Sequence, residues 1–312
     1  ATVPTDAERA GDFSAAGLPA IYNPANFQQF SYNGTPNVIP PSAIAPQAVA
    51  LMQFFPEPNI VAGSAPNNYN YHLFTTAQSN QTQASVRYMR TLGKNSGLFN
   101  GMGGFGGRRG GQQNTSQGLR QAVNLNYNWS RTASDNVNLI PQLGGKTSSD
   151  SNSVQAGYTI GYRRFTNIFN ANWNRSQSQT TNYFTGVNDI ATQVGILGPA
   201  GTALNASPLN YGLPSVALST ITGLTQQQPS FLTQQTISVS EVVSWRTGKH
   251  NFRFGGDYRR VHRDFLGGSN ATGTFTFTGL FTQNAAGDPT TGSPVADFLL
   301  GLPQSSTINS SA

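Results

Sequence analysis

A strict alternation of apolar and polar side chains limits what this chain can fold into. From Val123 to Trp129 every second residue is apolar, and the residues between them are all asparagine. A period of two is the period of a β-strand, which places the two kinds of side chain on opposite faces. The same alternation recurs in the segments 153–163, 166–175, 235–246 and 251–262. In the segment 235–246, Glu241 interrupts the apolar face. The chain is therefore predicted to be all-β.

Alternation alone does not distinguish a soluble sandwich from a membrane barrel. Three further features favour the barrel. Several strands are close to the roughly nine to eleven residues that a tilted strand needs to cross a bilayer. Aromatic residues cluster at strand ends, and tight connections (163–167, 247–251) alternate with long ones (95–117, 177–231). This pattern predicts a portion of an antiparallel transmembrane β-barrel, with short periplasmic turns at one rim and long extracellular loops at the other.

About nine segments are candidate strands, and consecutive ones are expected to pair as antiparallel hairpins. We expect 153–163 to pair with 166–175 and 235–246 with 251–262, with 177–231 mostly irregular at the rim opposite their tight turns. Because the number of candidate strands is odd, the chain is expected to be an incomplete piece of a larger barrel. That barrel would have the size of the plugged transporters with about 22 strands. The candidates are 70–77, 82–92, 119–130, 137–142, 153–163, 166–175, 235–246, 251–262 and 272–278.

Composition and hydropathy period divide the chain into two parts. Residues 1–69 are rich in Pro and Asn and are predicted to form an extracellular loop region with one helix at about 42–55, capped by Ser42 and ended by Pro56. Residues 70–312 are predicted to form the partial barrel, with long loops at about 95–117, 177–231 and 264–312. A second short helix, VADFLLG, has Ser293 as its cap and Pro294 at its first position.

Composition excludes several classes of function. The chain has no Cys and three His, so it offers no disulfide or thiolate metal site and little material for any other metal centre or cofactor. It also has no Ser/His/Asp arrangement of recognisable spacing, so we do not expect an enzyme. The net charge of +6 is spread thinly over 312 residues, which argues against a nucleic-acid partner. The segment GMGGFGGRRGG at 101–111 resembles RNA-binding segments, although a mobile extracellular loop is the favoured interpretation.

Longer motifs carry a resemblance to a known family. The segments VPTDAERAGDFS, NVIPPSAIAPQAVALMQFFPEPN, SWRTGKHNFRFGGDYRR and SPVADFLLGLPQSS are similar to those of TonB-dependent outer-membrane receptors of the Oar-like type, common in acidobacteria. The resemblance implies a barrel preceded by a plug domain, embedded in outer-membrane lipid, importing an unidentified nutrient with energy from the TonB complex. The sequence shows no plug, TonB box or closing strand, so we expect it to be a fragment of such a receptor.

Strand parity then selects candidate residues of the lumen. If the aromatic residues of 252–258 face lipid, the charged residues between them face inward, and the same rule applies to the other strands. These side chains either pair with carboxylates of the plug or contact the ligand. The predicted lumen-facing residues are Arg87, Arg163, Arg253, Asp257 and Arg259.

Two functions therefore remain open from sequence. The first is part of a receptor that transports a scarce or bulky nutrient across the outer membrane. The second is a secreted or cell-surface structural β protein resembling an adhesin. An apolar stripe about 25 Å tall with aromatic rims would favour the first. A sheet face covered by a second sheet would favour the other.

Overall fold

The computed structural model describes residues 1–60, 69–92, 118–198, 201–204, 207–267 and 270–309. They form one long antiparallel sheet and a compact lobe at one of its ends. The helices are α1 (Asp6–Arg9), α2 (Pro46–Met52), α3 (Ile190–Gln193) and α4 (Pro294–Leu299). The strands are β1 (Ser31–Tyr32), β2 (Thr35–Pro36), β3 (Ser79–Leu92), β4 (Arg120–Asn136), β5 (Gly145–Tyr162), β6 (Phe165–Asn182), β7 (Ser215–Leu218), β8 (Ser230–Thr247), β9 (His250–Gly267), β10 (Thr274–Phe277) and β11 (Ser305–Thr307).

Six strands form the long sheet, in the order β3-β4-β5-β6-β8-β9. Every neighbouring pair is antiparallel, which confirms both predicted hairpins. Strands β5, β6, β8 and β9 each have 18 residues, well beyond the usual length of about five or six. Since about ten residues suffice to cross a bilayer, each of these strands also extends well past the apolar layer. The edge strands β3 and β9 each pair on one side only within the described residues.

The two ends of this sheet differ in their connections. The tight turns at 163–164 and 248–249 lie at the same end, and the described residues between β6 and β8 lie at the other, as predicted. The prediction that all long connections share one rim is wrong for 95–117. Leu92 pairs with Gln121, which lies opposite Ile160, two residues before the end of β5. This connection therefore starts and ends at the tight-turn end, although residues 93–117 themselves lie outside the described part of the chain.

Several predicted boundaries need correction. Residues 70–77 and 137–142 are not strands; the second includes the start of a 3-10 turn, Pro141–Leu143. Residues 42–55 are not one helix, because a 3-10 turn (Pro41–Ala43) precedes α2. The cap position that was assigned to Ser42 is occupied by Ala45, which makes no side-chain hydrogen bond there. The predicted loops are also shorter, since β6 continues to residue 182, β8 begins at 230 and β9 continues to 267.

The register assembles the alternating strands into two chemically different faces. Directly paired residues point to the same side of a sheet, and Leu125 on β4 lies opposite Tyr88 on β3 and Ala156 on β5. We call this side the apolar face. On β6 its apolar residues run from Phe165 to Trp173, eight positions apart. That separation is about 26 Å along a strand, or about 20 Å in height at a tilt near 40°, close to the apolar band of an outer-membrane barrel.

The apolar face has an aromatic row at the tight-turn end. Tyr162 pairs with Phe165, Phe165 with Trp245, and Trp245 with Phe252, and the rings of the last pair stack with centroids 5.6 Å apart. No second sheet covers this face in the described residues. Its large side chains stay accessible, Leu125 to 45% and others to a similar degree. An uncovered apolar band with an aromatic rim is the arrangement that a lipid environment requires.

The lobe has the true hydrophobic core of the described chain. Its buried residues come from 1–60, from the β4–β5 connection, from the connections around β7 and from the segment after β9. Phe298 of α4 lies at the centre, in edge-to-face contact with Phe55 and Phe277 at 5.9 and 5.3 Å. A three-stranded sheet in the order β11-β10-β7 completes the lobe. The division of the chain at residue 69 stays a prediction, and residues on both sides of it share this one core.

One arginine fixes the first two helices of the lobe against each other. The Arg9 guanidinium, at the end of α1, donates to the backbone carbonyls of Met52, the last residue of α2, and of Phe55 and Pro56 just after it. Its Nε donates to the Pro4 carbonyl. Met52 O also accepts from the Phe55 amide, and a planar cation with several donors can bind all three carbonyls at once. Burial lowers the pKa of Arg9, against the opposing effect of Asp6.

Helix α4 is buried on every side and contains an acidic residue. The Ser293 hydroxyl accepts from the Ala296 amide, which confirms the predicted cap. Asp297 is fully buried. Its carboxylate accepts from the Thr282 hydroxyl at 2.7 Å and from the Phe281 amide at 3.2 Å. Burial nevertheless raises the pKa of Asp297.

Candidate lumen-facing surface

The second side of the long sheet, which we call the polar face, consists mainly of amide and hydroxyl side chains. On β4 these are the residues that alternate with the apolar ones, such as Asn126, and on β6 Asn172 occupies the equivalent position. One row of directly paired residues crosses the whole sheet. It runs Arg87, Asn126, Gln155, Asn172, Ser238 and Arg259. With about 4.8 Å between strands, this row spans roughly 24 Å.

Four of the five predicted lumen residues lie on this face. Arg87 is on the edge strand β3, and Arg253, Asp257 and Arg259 are on the opposite edge strand β9. The sheet therefore does not bring Arg87 together with the other three, because four strands lie between them. All four side chains are exposed. Whether they face a lumen stays a prediction.

The structure places Arg163 differently. Strand β5 ends at Tyr162, and Arg163 is the first residue of the tight turn, with a φ of +51°. Strand parity therefore does not apply to it. Its guanidinium instead lies over the Tyr162 ring, 5.2 Å from the ring centroid, a distance typical of a cation–π contact. Since Tyr162 belongs to the apolar face, Arg163 lies at the rim and not among the polar-face residues.

The middle of the polar face carries amides and hydroxyls without charge. The Asn128 amide donates to the Ser153 hydroxyl at 3.3 Å, and the Asn172 amide donates to the Ser238 hydroxyl at 3.5 Å. Such groups can hydrogen-bond neutral polar partners, whereas the arginines at the edges suit carboxylates or phosphates. Sequence reasoning named only the charged residues as site candidates, although the asparagines repeating at every second position of β4 and β6 indicated this array.

Other kinds of site find little support. In the described residues no three His, Asp or Glu side chains come close enough to hold a metal ion. The His262–Asp264 pair, 2.8 Å apart, is exposed and lies within a single strand. No helix of the described chain is long and apolar enough to cross a membrane.

Comparison with known proteins agrees with this geometry. A family model described as outer membrane beta barrel domain matches residues 1–312. Neither the curated proteins nor the solved structures gave a match to this chain. The long antiparallel strands, apolar on one face and polar on the other, define the wall of a membrane β-barrel. The chain belongs to the outer membrane beta barrel domain family, and it is an outer-membrane protein.

Proposed function

We propose that this chain is part of the wall of a TonB-dependent receptor of the Oar-like type, which imports a scarce or bulky nutrient. The observation that carries the proposal is the two-faced sheet, whose strands combine a membrane-sized apolar band with an uncovered polar face. In a transporting barrel that polar face lines the lumen. The motifs that resemble Oar-like receptors support the same function.

The polar face has the chemistry for two kinds of contact in such a receptor. The edge arginines, represented by Arg87 and Arg259, would pair with carboxylates of a plug domain or of the nutrient. The uncharged row between them, including Asn126 and Asn172, would let a polar ligand slide past without a strong charge to hold it. The lobe would cover the end of the barrel opposite the tight turns.

The alternative, a soluble surface protein resembling an adhesin, is disfavoured by the sheet itself. A soluble sandwich buries its apolar face under a second sheet. In the described chain the three strands of the lobe sheet pair with one another, and large apolar residues such as Phe254 and Tyr258 remain about 60% exposed.

Two measurements on the full-length receptor test the proposal. In the first, purified receptor in lipid vesicles is titrated with the isolated periplasmic domain of TonB, and we expect saturable binding. In the second, cells with the disrupted gene are compared with complemented cells on a panel of single nutrient sources. A nutrient on which only the complemented cells grow, and only when TonB is present, would support import. If the receptor does not bind the TonB domain, or if growth on every nutrient is independent of TonB, the proposal is contradicted.

A further inference from the structure

The apolar face contains a polar pair where the membrane is most hydrophobic. On β8 the outward positions are Ile237, Val239, Glu241, Val243 and Trp245, so Glu241 occupies the middle of the span. The Asn167 amide on neighbouring β6 donates to Glu241 Oε1 at 2.6 Å. Both side chains point to the lipid side, because Asn167 lies opposite Val243 and Glu241 lies opposite Phe169.

This pair is incompletely satisfied within the chain. Among the described residues no group donates to Glu241 Oε2, and no cation comes near the carboxylate. Arg90 occupies the same row but is four strands away, and Arg260 lies opposite Ile237, four residues further along the strand. Lipid headgroups and water are distant at this depth. A polar side chain facing hydrocarbon is costly, so such residues normally mark a protein contact.

The surroundings of the pair suit close approach of another protein surface. Gly256 lies directly opposite Glu241 on β9, and a Cβ added there would meet no atom within 4 Å. On the other side Phe169 of β6 lies directly opposite Glu241, and Ala171 follows two residues further along β6. A glycine beside a polar pair allows another membrane-embedded segment to approach closely, and in such contacts packing and hydrogen bonds replace the hydrophobic effect.

We infer that this patch, comprising Asn167, Ala171, Glu241 and Gly256, binds a second copy of the same chain within the membrane. The pair contains both an unused donor and an unused acceptor, so it complements itself. A two-fold axis along the membrane normal, passing between the two side chains, brings the second N–H of Asn167 to Glu241 Oε2 of the other copy, and the reverse. The result is a closed ring of four hydrogen bonds that removes both carboxylates from lipid. The inference depends on the membrane location and not on nutrient import.

Crosslinking of single cysteines in the membrane tests the contact. The chain has no Cys, so Gly256→Cys in the full-length protein, in a background without other cysteines, provides one thiol that lies one strand beyond Glu241 from the proposed axis. The matched control is Leu125→Cys, which is also lipid-facing but on β4. With a bismaleimide that can span the roughly 14 Å between the two copies of position 256, we expect a covalent dimer from Gly256→Cys and about tenfold less from Leu125→Cys.

Second substitutions separate the hydrogen-bond ring from general crowding. Glu241→Val, in the Gly256→Cys protein, suits lipid better than Glu and should not impair folding. It should nevertheless lower the dimer yield to that of the control. Glu241→Gln retains the acceptor oxygen for Asn167 of its own copy, and its amide N–H can donate to Asn167 Oδ1 of the other copy, so it should preserve most of the dimer. Equal crosslinking at positions 256 and 125, or a dimer yield that Glu241→Val leaves unchanged while the barrel remains folded, would overturn the inference.

Discussion

At the scale of single residues, neighbours on one strand are in opposite environments. Leu125 belongs to the apolar face of β4 and Asn126 to its polar face. In the full-length protein in lipid vesicles, Leu125→Arg should reduce the free energy of unfolding by about 2 to 4 kcal/mol, because it places a cation in hydrocarbon. Asn126→Arg should have a much smaller effect, because it remains among polar groups. Urea unfolding of the two variants measures the difference.

A pair of spin labels provides the control for that comparison, since a buried position in a soluble protein would also resist Leu125→Arg. Labels at Leu125→Cys and Asn126→Cys should differ in their contact with a quencher restricted to lipid. The label at 125 should be quenched and the label at 126 spared. Equal quenching of both would mean that the apolar face does not point to lipid.

Asp297 gives the lobe a dependence on pH. Because burial raises its pKa above the ordinary value of 3.8, the folded lobe retains a proton that the unfolded chain releases. Its contribution to stability is therefore greatest below pH 3.8 and decreases as the pH rises through the raised value. Hydrogen exchange of the α4 amides, corrected for the intrinsic effect of pH, should show this decrease in the native protein and not in Asp297→Asn.

Two other carboxylates make the folded state more stable as the pH rises, which is opposite to the effect of Asp297. The comparison with Asp297→Asn is therefore necessary. Hydrogen bonds from Ser14 lower the pKa of Asp12, and hydrogen bonds from Thr290 lower the pKa of Asp288. Both therefore favour the folded state as the pH rises. The difference between the native protein and Asp297→Asn isolates the buried group. A difference that does not change with pH would contradict its assignment.

At the scale of elements, the tight turns of the sheet depend on one backbone conformation. Gly248, the first turn residue between β8 and β9, has a φ of +58°, where a residue with a Cβ is strained. Gly248→Val should reduce the free energy of unfolding by about 1 to 2 kcal/mol, measured by urea unfolding in vesicles. Lys249→Val, at the next turn position, is the control and should have little effect.

The equivalent turn between β5 and β6 has Arg163 in the left-handed region. Its guanidinium lies over the Tyr162 ring. The sequence could not reveal this, because parity assumes that the strand continues. Parity did place Arg87, Asp257 and Arg259 correctly on one face, since each lies within a strand whose register extends across the sheet.

The errors in the predicted elements have a common physical cause. Residues 145–152 do not alternate in hydropathy, yet they belong to β5. They lie beyond the apolar band, where both faces are polar and backbone pairing alone defines the strand. Conversely, Ile140 and Leu143 fit a strand or a loop equally well, and they are buried in the lobe core. Local pattern identifies the membrane band well, and it cannot identify which distant segments pack together.

At the scale of the whole molecule, the two ends of the sheet should lie on opposite sides of the outer membrane. Short turns of such barrels face the periplasm, so the lobe should face the outside of the cell. In intact cells a membrane-impermeant maleimide should label Gln28→Cys, an exposed lobe position. It should label Lys249→Cys only after the membrane has been permeabilised. The reverse result would invert the topology.

The composition of the lobe core also dictates an order of folding. Hydrogen bonds such as Thr222 N to Thr2 O and Ala45 N to Leu299 O join segments that are separated by most of the sheet. Neighbouring hairpins can pair as soon as they reach the membrane, whereas contacts over such long loops form slowly. Every lobe segment must therefore reach its side of the membrane unfolded, and it stays unfolded until the remaining lobe segments arrive. The lobe can close only after the segment that follows β9 has arrived, because this segment contains β10, α4 and β11.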